Sequence, residues 1–377
     1  MEIDAAFDGG AILVGDLGAK GGAELMLRPD SQAEFMQWFH FRARVAKKKR
    51  ASYRIVNAGQ ATYADAWEGY RVAASYDGEH WFRVPTDFDG SVLSFSHEPE
   101  QELVQYAYFA PYPFARHEKL IERAVESPLA RVEVVGTTLE GRPMSVIAWG
   151  DDDGEKRKVW INARQHPGET MAEWFMEGVI DRLFDPNDDL AKALLEKACF
   201  YLVPNMNPDG GVLGNLRTNA AGANLNREWV EPTAEMSPEV LAVRQKMFDT
   251  GVDLFLDVHG DERNPYIFAA GCEGNPSYDE EMDALEDLFM NSLIELDGDF
   301  QREYGYERDQ PGEGDLTTAG NYVGETFGCL SLTLEMPFKD NANHPDMKAG
   351  WSPERAKHFG RTTLESVFVS LDALREG

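Results

Sequence analysis

From about residue 125 onward, short apolar runs alternate with longer amphipathic ones, and few folds satisfy that alternation. The runs "RVEVVGTT", "MSVIAWG", "KVWINA", "CFYLVP", "LFLDVHG", "YIFAAG" and "LSLTLEM" have the length and β-branched content of strands. Between them, residues 170–184 set Ala172, Phe175, Met176, Val179, Ile180 and Leu183 at helical spacing, and residues 277–297 and 353–375 read as helices for the same reason. Strands alternating with helices predict an α/β layer fold.

The first 120 residues follow a different period. "MQWFHFRARV" and "ASYRIVNAG" alternate on either side of the basic block Lys47–Arg50, which reads as a solvated hairpin turn. "YRVAASYDGEHWFRV" puts Asp77-Gly78 between two β-rich runs, a hairpin signal. Convincing helix is scarce here, so an antiparallel β-sandwich is expected. It closes with "VQYAYFAPYPF" and passes through a short helix, "ARHEKLIERAVE", into the second part. The division expected is 1–120 for the sandwich and 121–377 for the α/β domain.

Charge narrows the function. Against 36 basic residues stand 66 acidic ones, a net charge of −30. A surface so negative opposes nucleic acid, whose non-specific binding rests on neutralising phosphates. Cys199, Cys272 and Cys329 are isolated, without a C-x-x-C pair or a disulfide framework. The acidic N-terminus lacks the basic region of a signal peptide, and no stretch approaches the ~20 apolar residues of a membrane span. A reducing cytoplasm is the expected location, without membrane or nucleic-acid partners; oligomeric state is not legible.

Three strand ends carry residues of ligand type. "NARQHPGET" holds His166 and Glu169 around a rigid Pro167-Gly168 pair, between an arriving strand and a departing helix. "DVHGDE" holds Asp257, His259 and Asp261; "LTLEMPF" ends an apolar strand with Glu335. Open α/β sheets place ligands at such carboxyl ends. Singly, each has an ordinary reading, and the remaining histidines are read as surface or satisfied core residues. A lone glutamate in a buried strand costs several kcal/mol unless a metal or a wet cleft compensates. Together the three favour a metal site, since two histidines and a carboxylate form a known catalytic zinc set with a position left for water. The segment 205–229, "NMNPDGGVLGNLRTNAAGANLNREW", reads as a long polar loop carrying Arg217 and Arg227. Two arginines with flanking asparagines suit a carboxylate plus a developing oxyanion.

With those residues in view, the chain resembles the M14 zinc carboxypeptidases, and most closely their cytosolic carboxypeptidase branch. The matching stretches are "HPGE" (166–169), "NPDG…GNLR" (207–217), "NLNREW" (224–229), "DVHG" (257–260) and "TLE" (333–335), in the family's order. The branch also carries an N-terminal β-sandwich ending in a segment like "YFAPY" (108–112). The resemblance implies a catalytic α/β domain with a mixed central sheet flanked by helices. It implies one Zn2+ per chain on His166, Glu169 and His259, and Glu335 as general base and proton shuttle. By the same resemblance Arg217 stabilises the oxyanion, Asn226 and Arg227 grip the terminal carboxylate, and Tyr322 is the mobile tyrosine over the leaving residue. Substrates would be peptide or protein C-terminal tails, cut at a peptide or isopeptide bond.

Many relatives have Asp two residues before the carboxylate-binding Asn, where this chain has Asn224. A neutral amide can still accept from an imidazole N–H but raises its basicity less; Asp257 is another candidate partner. The branch is associated with releasing acidic residues such as glutamate, which needs a cation in the leaving-residue pocket; Arg302 and Arg308 are the sequence candidates. Two rival readings are a related zinc amidohydrolase, such as an acyl-amino-acid deacylase or a cell-wall peptide amidase, and an inactive protein-binding module. The complete "NLNREW" motif disfavours the first, and the retained glutamate and ligands disfavour the second.

Overall fold

The structure is a computed structural model that describes residues 1–18, 22–151 and 154–374. Ten strands fill the first part: β1 (Glu2–Asp4), β2 (Leu13–Val14), β3 (Ala23–Met26), β4 (His40–Arg44), β5 (Ala51–Ile55), β6 (Val72–Ser75), β7 (Trp81–Val84), β8 (Thr86–Phe88), β9 (Leu93–His97) and β10 (Leu103–Ala107). They form two five-stranded sheets, ordered β1-β4-β10-β6-β7 and β2-β3-β5-β9-β8. Aromatic rings join the layers: Phe41 and Tyr106 of the first meet Tyr53 and Phe95 of the second at ring-centroid distances of 5.0–5.8 Å.

One expectation for this part needs correction. The basic block 47–50 is exposed as expected but is no hairpin turn, because β4 and β5 lie in different sheets. The chain crosses the sandwich there. The same crossing sets β3 parallel to β5 in an otherwise antiparallel sandwich. Alternation reports which face a residue takes, not which strand it pairs with, so both readings share their sequence signal. The Asp77-Gly78 hairpin is present: β6 pairs antiparallel with β7, and Gly78 has φ +79°.

Helix α1 (Phe114–Glu126) leads into the second part. Its strands are β11 (Ala130–Thr137), β12 (Pro143–Trp149), β13 (Arg157–Ala163), β14 (Ala198–Val203), β15 (Leu254–Asp261), β16 (Phe268–Ala270) and β17 (Leu330–Pro337). They form one mixed sheet, β11-β12-β14-β13-β15-β17-β16, with four central parallel strands and antiparallel edges. The helices are α2 (Thr170–Leu183), α3 (Asp189–Lys197), α4 (Pro208–Leu213), α5 (Pro238–Thr250), α6 (Glu280–Leu296), α7 (Ala319–Phe327) and α8 (Pro353–Ser370). Residue 375, the end of the helix expected over 353–375, lies outside the described residues.

One face of the sheet packs on α2, α6 and α8 and the other on α5 and α7. Along β13 the alternation divides accordingly, Val159 and Ile161 to the first face and Trp160 to the second. Helices α2 and α8 approach closely through two glycines. A Cβ on Gly178 would stand 2.1 Å from the Lys357 carbonyl oxygen, and one on Gly360 2.2 Å from that of Phe175. From β13 the chain moves to β14 on one side; from β14 it jumps to β15 on the other. That reversal opens a crevice at the carboxyl ends of β13 and β15, where an α/β sheet places its ligand.

The two parts share a polar seam. Arg83 of β7 is buried, and its guanidinium donates to the carbonyls of Phe338 at 2.7 Å, Lys339 at 3.1 Å, Trp351 at 3.3 Å and Ala349 at 3.3 Å, all in the segment after β17. Tyr108 stacks on Phe338 with ring centroids 4.6 Å apart. A planar, always-charged fork with five donors suits this collection of carbonyls.

Candidate active site

The turn from β13 into α2 is braced before it meets any ligand. Arg164 takes a left-handed conformation, φ +60°, and donates to the Pro167 carbonyl at 3.0 Å and to Glu173 of α2 at 2.6 Å. Glu173 also meets His117 Nδ1 at 2.7 Å and accepts from Asn205 at 3.1 Å, so this fully buried carboxylate is satisfied. The brace fixes the segment carrying His166 and Glu169. Across the crevice, β15 pairs with β17 in a register that puts His259 beside Glu335. His259 thus sits in the last turnless residues of a strand, a more rigid mount than the loop after it.

The three expected ligands converge. His166 Nδ1 lies 2.7 Å from one oxygen of Glu169, and His259 Nδ1 lies 2.8 Å from the other. One ligand atom from each falls within 4.8 Å of the others. Both outer nitrogens are held: His166 Nε2 is 2.9 Å from Asn224 Oδ1, and His259 Nε2 is 2.8 Å from Asp257 Oδ2. Imidazoles anchored through Nε2 present Nδ1 inward, the arrangement of a metal-ligating histidine with an outer partner. The donor set of two nitrogens and a carboxylate fits zinc. Asn224 thus serves one imidazole and Asp257 the other. Gln165 steadies Asp257 by donating at 2.7 Å, and Trp229 Nε1 fixes Gln165 in turn at 2.8 Å.

Burial and neighbouring charges set the local proton affinities. His166 is pushed down to about 4, first by burial and then by Arg217. For His259 burial works downward too, but the Asp257 and Glu169 carboxylates outweigh it and the group lies well above 6.5. Glu335 lies well above the usual carboxylate range, through burial first and the nearby Glu169 and Asp261 charges second. A bound divalent ion would reverse the sign of that local field and favour the carboxylate form. Oxygen Oε2 of Glu335 has no hydrogen-bond partner among the described residues, whereas Oε1 lies 3.0 Å from the Tyr306 hydroxyl.

These groups open into a cleft of about 420 Å³. Arg217, Asn226 and Arg227 line it with the ligands and Glu335. The loop 205–229 is interrupted by the six-residue helix α4, capped by Asn207 accepting from Gly210 N at 3.0 Å. Asn226 Oδ1 accepts from the backbone of Ala319 at 2.8 Å, fixing the loop against α7. Arg227 is different: its side chain is 46% exposed, and its one carboxylate partner, Asp315, is 3.6 Å away.

One expected residue stands elsewhere. Tyr322 is on α7 but packs back onto Trp229, centroids 6.2 Å apart, and under the Arg244 guanidinium. It is not among the residues lining the cleft. Helical geometry explains this: α7 turns Tyr322 and Val323 toward the core, where they join the cluster around Trp160 and Phe255. A tyrosine that does line the cleft is Tyr306, in "EYGYERDQPG", whose hydroxyl is also 2.9 Å from Asp261. Tyr63 of the N-terminal part, Glu262 and Arg263 also line the cleft and carried no sequence signal. Arg302 and Arg308 do not line it; they pair with Asp287 at 2.7 Å and Asp283 at 2.8 Å.

A sheet crevice that brings two histidines and a glutamate together opposite a further carboxylate fits a metallopeptidase, and the chain belongs to the zinc carboxypeptidase family, whose model matches residues 121–355. Residues 3–109 match the cytosolic carboxypeptidase N-terminal domain, which places the chain with that branch. It is 28% identical to cytosolic carboxypeptidase 6 of Caenorhabditis elegans over 90% of this chain and 79% of the relative. An uncharacterised protein from Zymomonas mobilis is 45% identical over 99% of this chain and 97% of its own. Among solved structures, a metallo-carboxypeptidase from Burkholderia cenocepacia is 47% identical, with TM-score 0.96 over 98% of this chain and 99% of the other. One from Pseudomonas aeruginosa, in complex with (2-guanidinoethylmercapto)succinic acid, is 48% identical with TM-score 0.96 and full coverage of both chains. The protein is therefore a metallocarboxypeptidase, a peptidase hydrolase. No described helix is long and apolar enough to cross a membrane.

Proposed function

We propose that this enzyme releases single residues from the C-termini of peptides or protein tails in the cytoplasm. One Zn2+ per chain would be held by Nδ1 of His166, Nδ1 of His259 and the Glu169 carboxylate. The observation that carries the reading is the convergence of those three groups beside a buried glutamate with one unpartnered oxygen. When bound, zinc lowers the pKa of a coordinated water and polarises the scissile carbonyl. Glu335 accepts the water's proton at Oε2 while Tyr306 holds Oε1, and it then delivers the proton to the leaving amine. Arg217 faces the oxyanion. Asn226 and Arg227 receive the terminal α-carboxylate, a group that exists only at a chain end, so residues leave one at a time.

The leaving residue has two readings. Glutamate release follows from the branch, but the arginines expected to support it are paired outside the cleft. The cleft lining instead includes Glu273, Glu307, Asp309 and Asp315 alongside Arg263, an acidic excess that favours a cationic side chain. The Pseudomonas relative's bound compound carries a guanidinium alongside two carboxylates, in keeping with that second reading. Peptides ending in Lys, Arg or Glu, each as free acid and as amide, test both levels. Release from free acids alone, abolished by a chelator, is the expected result; equal cleavage of amides would overturn the exopeptidase assignment. Faster release of Glu than of Lys would overturn the cationic preference and leave the rest standing.

A further inference from the structure

Arg217 is a member of the catalytic set held in large part from the other domain. Its guanidinium has no hydrogen-bond partner among the described residues, and it lies between Phe35 and Tyr63, 5.8 and 6.0 Å from the ring centroids. Both rings belong to the N-terminal part. The backbone beneath it is gripped from the same side. Asp30, in the connection from β3 to β4, is 5% exposed, and its carboxylate accepts three consecutive amide N–H groups. These are Leu216 at 2.6 Å, Arg217 at 2.8 Å and Thr218 at 3.0 Å, with the Thr218 hydroxyl at 3.1 Å. Successive N–H groups turned toward one point make an anion-binding concavity, here filled by a side chain from the other domain.

The flanking contacts tighten the register. Ser31 N donates to Asn215 Oδ1 at 3.0 Å and Asn215 Nδ2 donates to Ser31 Oγ at 2.8 Å. Arg28 donates to the carbonyls of Leu213 and Gly214. A Cβ on Gly222 would stand 2.3 Å from the Gln32 carbonyl oxygen, so the two segments touch through bare backbone. The gripped loop also reaches the metal ligands, since the Leu216 carbonyl accepts from Gly168 N at 2.8 Å, inside the His166–Glu169 turn.

We propose that Asp30 of the N-terminal domain is a positioning residue for Arg217: by fixing residues 216–218 it sets where the guanidinium stands relative to the scissile carbonyl. The proposal rests on the oxyanion role given to Arg217 above. It makes the sandwich part of the catalytic apparatus, because without it the oxyanion donor loses the carboxylate under its backbone and both ring walls. Misplacing such a donor by about 1 Å costs up to ~10²-fold in rate.

The test is a double-mutant cycle in the full-length zinc enzyme, using a free-acid C-terminal substrate. Asp30→Asn keeps the shape but leaves the amide –NH2 facing a backbone donor. It should lower kcat about tenfold with KM changed less than twofold and with zinc stoichiometry unaltered. In an Arg217→Ala background the same change should lower kcat less than twofold, because the group it acts through is gone. A full additional tenfold loss there, or wild-type kcat for Asp30→Asn alone, would overturn the proposal. Thr218→Val removes only one of the four donors and guards against a folding failure. It should give a smaller kcat loss that likewise vanishes with Arg217→Ala, and a loss that persists would overturn the proposal as well. If Arg217→Ala alone keeps wild-type kcat, the oxyanion assignment itself fails, an outcome distinct from independence of Asp30.

Discussion

The two ends of the cleft are built by different means. At the metal end His166, Glu169, His259 and Glu335 are 1–6% exposed, mounted on strands β15 and β17 and on a turn braced by Arg164 and Glu173. Most polar atoms there have a partner; among the described residues the exceptions include Asp257 Oδ1 and the Glu335 Oε2 that catalysis would use. At the substrate end the recognition groups stand in solvent: Arg227 is 46% exposed and its partner Asp315 is 52% exposed. The contrast fits the division of labour in an exopeptidase. Reaction geometry tolerates little error and gains from a dry, preorganised surround, whereas a peptide end must enter and one residue must leave through an open door.

Three substitutions sharpen or break that contrast. The largest effect belongs to the buried end. Glu335→Gln should lower kcat by ~10²–10⁴-fold, with KM nearly unchanged and one zinc per chain retained by metal analysis. A kcat within tenfold of wild type would mean that another group moves the proton. At the open end, Arg227→Ala should act on KM instead, raising it about tenfold for free-acid peptides, since an ionic hydrogen bond contributes roughly 1.5–3 kcal/mol and this one is partly in water. A fall in kcat with KM unchanged would move Arg227 into the reaction step and dissolve the distinction. Tyr306→Phe lies between the ends and should have the smallest effect. Losing one hydrogen bond to Glu335 should lower kcat roughly threefold, and no change would mark the tyrosine as a wall only.

Much of the metal end was legible in the sequence because its chemistry is local. "HPGE" is a four-residue turn, and His259 and Glu335 interrupt runs that are otherwise apolar. The α/β strands were legible too, since both faces of a central sheet are buried and the runs stand out. What escaped depends on the path of the chain between elements. The β3–β5 parallel pairing, the place of Tyr306 in the cleft, and the approach of Asp30 to residues 216–218 all join segments whose separation carries no period. Asp30 lies 186 positions from Leu216, and nothing in "LRPDSQAEF" sets it apart from an ordinary surface turn.

Arg83 carries a consequence for how this molecule can be taken apart. A protease that nicked the connection near residue 110 would cut one peptide bond but would not free two stable pieces. Each fragment would face water with half of a charged lattice, a guanidinium on one and a row of main-chain oxygens on the other, beside a stripped Tyr108–Phe338 pair. The sandwich and the enzyme behind it therefore ought to denature in a single step, and a truncated catalytic half ought to be made insoluble rather than slow.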